Sequence, residues 1–178
     1  FLIKLPNDIR VQVDDYFASF PSEVTRSYEI SEINTFKRFV KLVDVTLVNS
    51  SAGYNAKVLE LVVTFPFRRD SKLQWGSVLD VSARNIHVEG PENTSYIAEN
   101  LNLTGLENPG QQPWLYRSVG KILEDAASLT FGGVSLEKVS FKNDEIDLAL
   151  EQFTLGKVAD QRLENVSLQG LVVSSDDP

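Results

Sequence analysis

The chain has 178 residues, of which 42% are hydrophobic and 24% charged, and its net charge is −8. This composition is typical of a folded domain, and the negative charge disfavours nucleic acid and anionic membrane surfaces as main partners. The absence of cysteine excludes disulfides, thiolate metal sites and thiol nucleophiles. Because methionine is absent as well, we expect the chain to be a processed or excised product.

The first elements are predicted from the spacing of apolar residues. Ile9, Val11 and Val13 alternate with polar residues, which indicates a strand with one buried face. A short amphipathic helix is predicted from Ser31 to about Val40, because its apolar residues recur in steps of three and four. The competing interpretation is an early strand, since Phe39–Leu47 also fits a period of two.

The middle of the chain reads as strands separated by turns. The cluster Asn49–Gly53 predicts a turn, and Val58–Phe65 predicts the strand that returns from it. A further strand is predicted over Val78–Val88, followed by a turn at Gly90–Asn93 and a return strand over Tyr96–Leu103. These elements predict antiparallel hairpins.

The clearest break in the chain is residues 107–113, which contain two prolines and a glycine. An amphipathic helix is predicted after it, over Trp114–Ala127. We therefore divide the chain into an N-terminal β-rich half (1–106), a connecting segment (107–113) and a helix-plus-meander half (114–178). The order of elements suggests an internal duplication, and both halves could equally form one continuous domain.

A six-residue phrase recurs along the chain, in the order apolar, acidic, polar, apolar, hydroxyl, apolar. Three copies begin at Leu136, Leu150 and Leu163, and looser copies begin at Leu42, Ala83 and Ala98. Starts that lie 13 or 14 residues apart fit consecutive strands and their turns, and are too short for a crossover helix.

The fourth and sixth residues of each phrase lie on one face of a strand. The first residue is out of step with them by one position, so it requires a bulge or lies before the strand proper. The C-terminal copies predict an apolar wall that faces either a helix or an apolar ligand. Its residues are Val139, Phe141, Phe153, Leu155, Val166 and Leu168.

These patterns predict an α+β fold dominated by β structure. We expect one or more antiparallel meander sheets, with one or two helices packed on the apolar face.

The sequence contains no catalytic, cofactor or metal signature, and we predict a protein without enzymatic activity. His87 is the only histidine, no GxSxG elbow accompanies it, and it is best read as an exposed residue of a sheet. The segment Asn143–Asp147 offers oxygen ligands but lacks the spacing of a calcium loop, so an acidic hairpin turn is predicted there. Nucleotide-binding glycine motifs are absent from the sequence.

Four aromatic residues could serve as stacking platforms for sugars: Trp75, Trp114, Tyr54 and Tyr96. Aromatic residues at strand ends and on a helix more often belong to the core. The alternative functional prediction is therefore an adhesin or a carbohydrate-binding module.

The phrases at Leu163–Gly170 and Leu136–Phe141 resemble the β-repeats of bacterial envelope proteins of the AsmA/TamB type. The resemblance covers mainly residues 136–173, and the Trp114–Ala127 helix departs from the family pattern. It implies a curved sheet with an apolar groove and a role in phospholipid movement or outer-membrane biogenesis. We accordingly predict a periplasmic or extracellular module, structural or binding an apolar ligand such as lipid, with lipid or another envelope protein as partner. The sequence holds no apolar run long enough to span a membrane.

Overall fold

The computed structural model describes residues 4–64, 79–106, 132–159 and 162–175. In these ranges the chain forms one helix, α1 (Lys4–Ala18), and eleven strands. The strands of the first half are β1 (Val24–Asn34), β2 (Phe39–Asn49), β3 (Tyr54–Thr64), β4 (Leu79–Glu89) and β5 (Ser95–Leu106). Those of the second half are β6 (Gly133–Lys142), β7 (Ile146–Leu155), β8 (Val158–Ala159), β9 (Arg162–Leu163), β10 (Val166–Gln169) and β11 (Val172–Ser175).

The predicted β-dominated α+β fold with an antiparallel meander is confirmed. Strands β1 to β7 pair in chain order, each antiparallel to the next. Both β10 and β11 pair with β7, against its C-terminal and N-terminal halves respectively, and so form one last strand that is interrupted at Gly170 and Leu171. The result is an open nine-stranded sheet, and β8 and β9 form a separate small ribbon. Strand β5 pairs directly with β6, so the sheet is continuous from one half of the chain to the other.

The strand predicted at Ile9, Val11 and Val13 is wrong, because this segment belongs to α1. Ile9 and Val13 lie one helical turn apart and are 3% and 1% exposed, whereas Val11 is 56% exposed. The same buried stripe continues one turn later through Phe17, and Phe20 is buried just beyond the end of α1. Residues four apart share a face in a strand and in a helix alike, so the positions of Ile9 and Val13 alone do not distinguish the two.

The helix predicted from Ser31 to Val40 is also wrong, and the competing strand interpretation is correct. This segment is the end of β1, a turn over residues 35–38 and the start of β2. The Asn34 Oδ1 accepts a hydrogen bond of 2.8 Å from the Lys37 backbone N–H, and Arg38 has a φ of 60°. Phe36 lies at the tip of this turn and is 87% exposed. Its spacing from Ile33 therefore reflects a chain reversal and not a helical face.

The predicted turns at Asn49–Gly53 and Gly90–Asn93 are confirmed. The Asn49 Oδ1 accepts a hydrogen bond of 3.1 Å from the Ala52 backbone N–H, and Gly53 has a φ of 71°. Such side-chain capping and left-handed backbone are what asparagine and glycine supply in turns.

A residue with left-handed backbone occupies the third position in four copies of the repeated phrase, within β2, β4 and β6 and just before β10. These residues are Asp44, Asn85, Lys138 and Asn165, with φ between 48° and 51°. On β2 the interruption allows Leu42 and Val45, three residues apart, to be buried in the same core at 3% and 2% exposure. Strict alternation would place them on opposite faces.

The two outcomes expected for the first phrase residue both occur. In the copy on β6, Leu136 lies within the strand and the irregularity falls at Lys138. In the copy at Leu163, the first residue lies in β9 and the strand proper begins at Val166.

The core lies between α1 and strands β1 to β5. The helix residues Ile9, Val13 and Phe17, together with Phe20 just after the helix, pack on buried residues of the sheet, among them Val40, Leu42, Val45, Leu61, Val63, Val81 and Ala83. The helix is thus packed on the apolar face of the sheet, as predicted for the fold, although it is formed by a different segment.

Two contacts attach α1 to the edge strand β1. The rings of Phe17 and Tyr28 stack with centroids 4.0 Å apart, and the Tyr28 hydroxyl donates a hydrogen bond of 2.6 Å to Asp14 Oδ1. Burial raises the pKa of Tyr28 above its ordinary value, and the hydrogen bond to the Asp14 carboxylate raises it further. Both effects favour the protonated phenol in the folded protein.

This contact predicts a pH dependence of stability at alkaline pH. The unfolded tyrosine ionises near pH ~10, whereas the folded protein retains the proton to higher pH, so the contribution of Tyr28 is present below pH ~10 and is lost as pH rises above it. Because the contact is partly exposed, its contribution should be at most about 1 kcal/mol. The free energy of unfolding of the native chain and of Tyr28→Phe, measured from pH 7 to 11, should differ at neutral pH and converge above pH ~10. A difference that stays constant over this range would contradict the assignment.

The helix predicted over Trp114–Ala127 and the connecting segment 107–113 lie outside the described residues. Within the residues that the structure does describe, α1 is too short and too polar to cross a membrane.

Candidate functional site: the apolar face of the sheet

The candidate site is the apolar face of the sheet, which is built from rows of paired residues that run across the strands. In an antiparallel sheet, directly paired residues point to the same face. The Leu42 row is Ile30, Leu42, Leu61, Ala83, Leu101, Leu136, Phe153 and Leu168. The Val40 row is Ile33, Val40, Val63, Val81, Leu103, Val134, Leu155 and Val166.

A third row and a further pair continue this face on the other side of the left-handed residues. The Leu47 row begins at Arg26 on β1 and continues through Leu47, Ala56, Val88, Tyr96, Phe141, Leu148 and Val173. Within it, the rings of Tyr96 and Phe141 lie 4.8 Å apart. Val139 pairs with Leu150 on the neighbouring strand. On β2 to β7, the three rows and the Val139–Leu150 pair consist of large apolar residues. The two exceptions are Ala56 and Ala83.

The six predicted wall residues occupy adjacent strands in these rows. Phe153 pairs with Leu168, and Leu155 pairs with Val166, so these four side chains share one face. Phe141 and Val139 pair with Leu148 and Leu150 on β7. Val166 and Leu168 are 52% and 56% exposed, whereas the four residues on β6 and β7 are half-buried.

The sequence prediction missed residues that lie in the same rows. Leu136 pairs with Phe153, and Leu150 pairs with Val139, although both are first residues of a phrase and were left out of the wall. Val134, which precedes a phrase, pairs with Leu155. The sequence gives one signal for these three positions, because all of them are apolar. Strict alternation nevertheless assigns Leu136 and Leu150 to the face opposite the predicted wall.

Coverage of the apolar face changes across the sheet. On β2, β3 and β4 the residues beneath α1 are 1–4% exposed. On β6 and β7 most members of the rows are half-buried, and on the last strand they are more than half exposed. The described helix therefore covers one end of the apolar face and leaves the outermost strand open.

The opposite face of the sheet is polar. The row Glu60, Arg84, Asn100, Glu137, Gln152 and Gln169 crosses five strands and the last strand. Asn100 Nδ2 donates a hydrogen bond of 2.8 Å to Glu137 Oε2. Lys41 Nζ lies 2.5 Å from Glu60 Oε2, and its hydrogen bond lowers the pKa of Glu60. Ion pairs and hydrogen bonds of this kind suit a solvated surface.

A shallow groove of about 790 Å³ lies over β6, β7 and the last strand. Its lining combines polar residues such as Glu137 and Gln152 with the apolar residues Ala149, Leu150 and Val172, and Val139 is the one predicted wall residue that borders it. The wall is thus an open surface and is largely separate from this groove.

The remaining sequence candidates lie outside the apolar rows. His87 lies on the polar face in a row with Lys57 and Ile97, and its Nε2 is 3.9 Å from Glu89 Oε1. The acidic segment forms the β6–β7 hairpin turn, in which Asn143 Oδ1 accepts a hydrogen bond of 2.7 Å from the Ile146 backbone N–H. In the described part of the chain, no three histidine, aspartate or glutamate side chains are placed to hold a metal ion.

Two of the four aromatic residues proposed for sugar stacking belong to the described sheet. Trp75 and Trp114 lie outside the described residues. Tyr96 belongs to the Leu47 row, and Tyr54 is a half-buried residue at the start of β3. The carbohydrate-binding alternative stays a prediction.

No protein-family model, no curated protein and no solved structure matches the chain.

Proposed function

We propose that the protein is a non-enzymatic module of the cell envelope or the extracellular space that binds the acyl chains of lipid along its apolar face. One observation carries the proposal: the apolar rows continue past the strands that α1 covers and reach the last strand, where Val166 and Leu168 are more than half exposed. Large contiguous apolar surfaces on soluble domains commonly mark binding sites. The resemblance of the phrase to AsmA/TamB-type repeats supports the same function.

The dimensions of the surface favour an extended aliphatic ligand. Strands lie about 4.8 Å apart, so the surface from β5 to the last strand is about 14 Å wide. It is lined by aliphatic side chains and phenyl rings, such as Leu155 and Phe153, without a charged residue in the Leu42 and Val40 rows. An alkyl chain that lies along such a row exchanges water for apolar contact over its whole length.

The charge of the protein favours a particular class of lipid. The net charge of −8 and the carboxylates on the polar face oppose an anionic headgroup. We therefore expect zwitterionic or uncharged lipids to bind more tightly than anionic lipids with the same chains. Raising the salt concentration should reduce this preference, because salt screens the repulsion.

The first experiment is native mass spectrometry of the purified protein, which should show bound lipid. Titration of the delipidated protein with a fluorescent phosphatidylcholine analogue should then give saturable binding. A protein that purifies without lipid and gives no saturable binding would refute the proposed function.

A matched pair of variants on β7 tests the location of the site. Leu155→Gln places an amide in the Val40 row, whereas Thr154→Gln places it on the opposite face one residue away. Loss of one buried aliphatic contact should weaken lipid binding about tenfold in Leu155→Gln and leave Thr154→Gln unchanged. Circular dichroism of both variants controls for folding. Equal affinities of the two folded variants would exclude the wall as the binding surface.

A further inference from the structure

The outer edge of the last strand differs from the other edge of the sheet. No strand in the described part of the chain pairs with this edge. Its apolar residues are 51–61% exposed, namely Val166, Leu168, Leu171, Val172 and Val173. Residues 165–175 carry no charge, whereas the edge strand β1 carries Arg26, Glu29 and Glu32. Exposed edges are normally protected by charges, prolines or a covering segment, because their free backbone groups pair readily with another strand.

We propose that this edge pairs with the same edge of a second copy of the chain, antiparallel and about a two-fold axis. Two copies with a net charge of −8 repel each other over most of their surface, and the uncharged last strand is a place where they can approach closely. Pairing would join two nine-stranded sheets into one and would extend the apolar face across both copies. The proposal does not depend on the lipid-binding function.

The interruption at Gly170 and Leu171 determines the register of the pairing. Leu168 pairs with Phe153 and Val173 pairs with Leu148, so both lie on the apolar face although they are five residues apart. When the two interruptions coincide, Gly170 of one copy lies opposite Leu171 of the other, and Leu168 lies opposite Val173. A shift by one residue would set apolar-face residues against polar-face residues. A shift by two would set each interruption against an unbroken strand.

Cysteine cross-linking tests this register directly, because the natural chain has no cysteine. The double variant Leu168→Cys/Val173→Cys should form a covalent dimer under mild oxidation. Within one copy these positions are about 16 Å apart along the strand, which is too far for a disulfide, whereas opposed residues of paired strands are within reach.

The matched control is Val166→Cys/Val173→Cys, which keeps the same face but corresponds to a register shifted by two residues. Its thiols would be diagonal neighbours about 7–8 Å apart, so we expect at least fivefold slower dimer formation than for the first variant. Equal cross-linking rates would overturn the proposed register.

The oligomeric state is the second measurement. Sedimentation equilibrium of the unmodified protein should show a dimer, and Leu168→Lys should be monomeric because it places a charge in the pairing strand. Phe36→Lys, at the 87% exposed turn between β1 and β2, is the control and should stay dimeric. A monomeric unmodified protein, or a Leu168→Lys variant as dimeric as the control, would overturn the proposal. If the unmodified protein is monomeric and still binds lipid, the dimer proposal fails and the proposed function stands.

Discussion

Replacing Phe17 by alanine should lower the free energy of unfolding by about 3–5 kcal/mol. Phe17 is 2% exposed and is among the largest fully buried side chains of the described core. Its ring stacks on Tyr28 at 4.0 Å and lies 5.7 Å from Phe20 and 5.5 Å from Tyr16. Truncation removes the transfer free energy of the ring and leaves a cavity that neighbouring side chains fill only in part.

The effect should be large because Phe17 is central to the contacts that hold α1 on the sheet. A helix of 15 residues is marginal in water on its own, and its stability depends on the packing of its apolar face. Loss of the central ring should therefore detach α1 from β1 and expose the residues of β2, β3 and β4 that it covers. Chemical denaturation monitored by circular dichroism measures the change.

Phe36→Ala is the matched control for this prediction. It removes the same side chain from a position that is 87% exposed at the tip of the β1–β2 turn. We expect a change within about 0.5 kcal/mol, as for most surface substitutions. If both variants lost similar stability, α1 would not be packed on the sheet as described.

The strands of the chain could largely be predicted from the sequence, because alternation and turn residues act over short distances. Val58–Phe65, Val78–Val88 and Tyr96–Leu103 each overlap an observed strand closely. The helix α1 was missed because Asp14 and Asp15 interrupt the alternation, and Phe17, the residue that establishes the helical spacing, follows them. Acidic residues end a strand pattern, but they occupy the solvent side of a helix without disturbing it.

The rows of the apolar face could be predicted only in part, because they depend on a backbone angle and not on polarity. Asp44 and Asn85 are residue types that tolerate left-handed backbone, and they give some signal in the sequence. Lys138 gives none, although it occupies the equivalent position on β6 with a φ of 48°. An alternating pattern therefore assigns Leu136 to the opposite face, whereas the observed pairing places it beside Phe153.

The left-handed residues themselves support the second large prediction. Asp44, Asn85 and Lys138 lie on β2, β4 and β6, at the point where the strand changes the face of its side chains. All three side chains are exposed, so substitutions there change the backbone preference with little loss of packing. A β-branched residue in left-handed conformation costs about 1–2 kcal/mol. Valine should therefore lower the free energy of unfolding by about 1–2 kcal/mol at Asp44 and Asn85, and by less at Lys138, where lysine already bears part of this cost.

The three positions should act independently. They lie two strands apart, or about 10 Å, and effects over such distances usually add. The triple valine variant should accordingly lose about 2–5 kcal/mol. The triple glycine variant should stay within about 1 kcal/mol of the natural chain, because glycine adopts the left-handed conformation freely but gains entropy in the unfolded state.

Leu59→Val tests whether the effect belongs to the backbone conformation. Leu59 lies on β3 between the pairs that flank Asp44 and Asn85, is 46% exposed, and is not among the residues with positive φ. Valine is well suited to an ordinary strand position, so stability should change by less than about 0.5 kcal/mol. A triple valine variant as stable as the triple glycine variant would show that these residues do not require left-handed backbone. The shift that brings Leu42 and Val45 into one core would then need another cause.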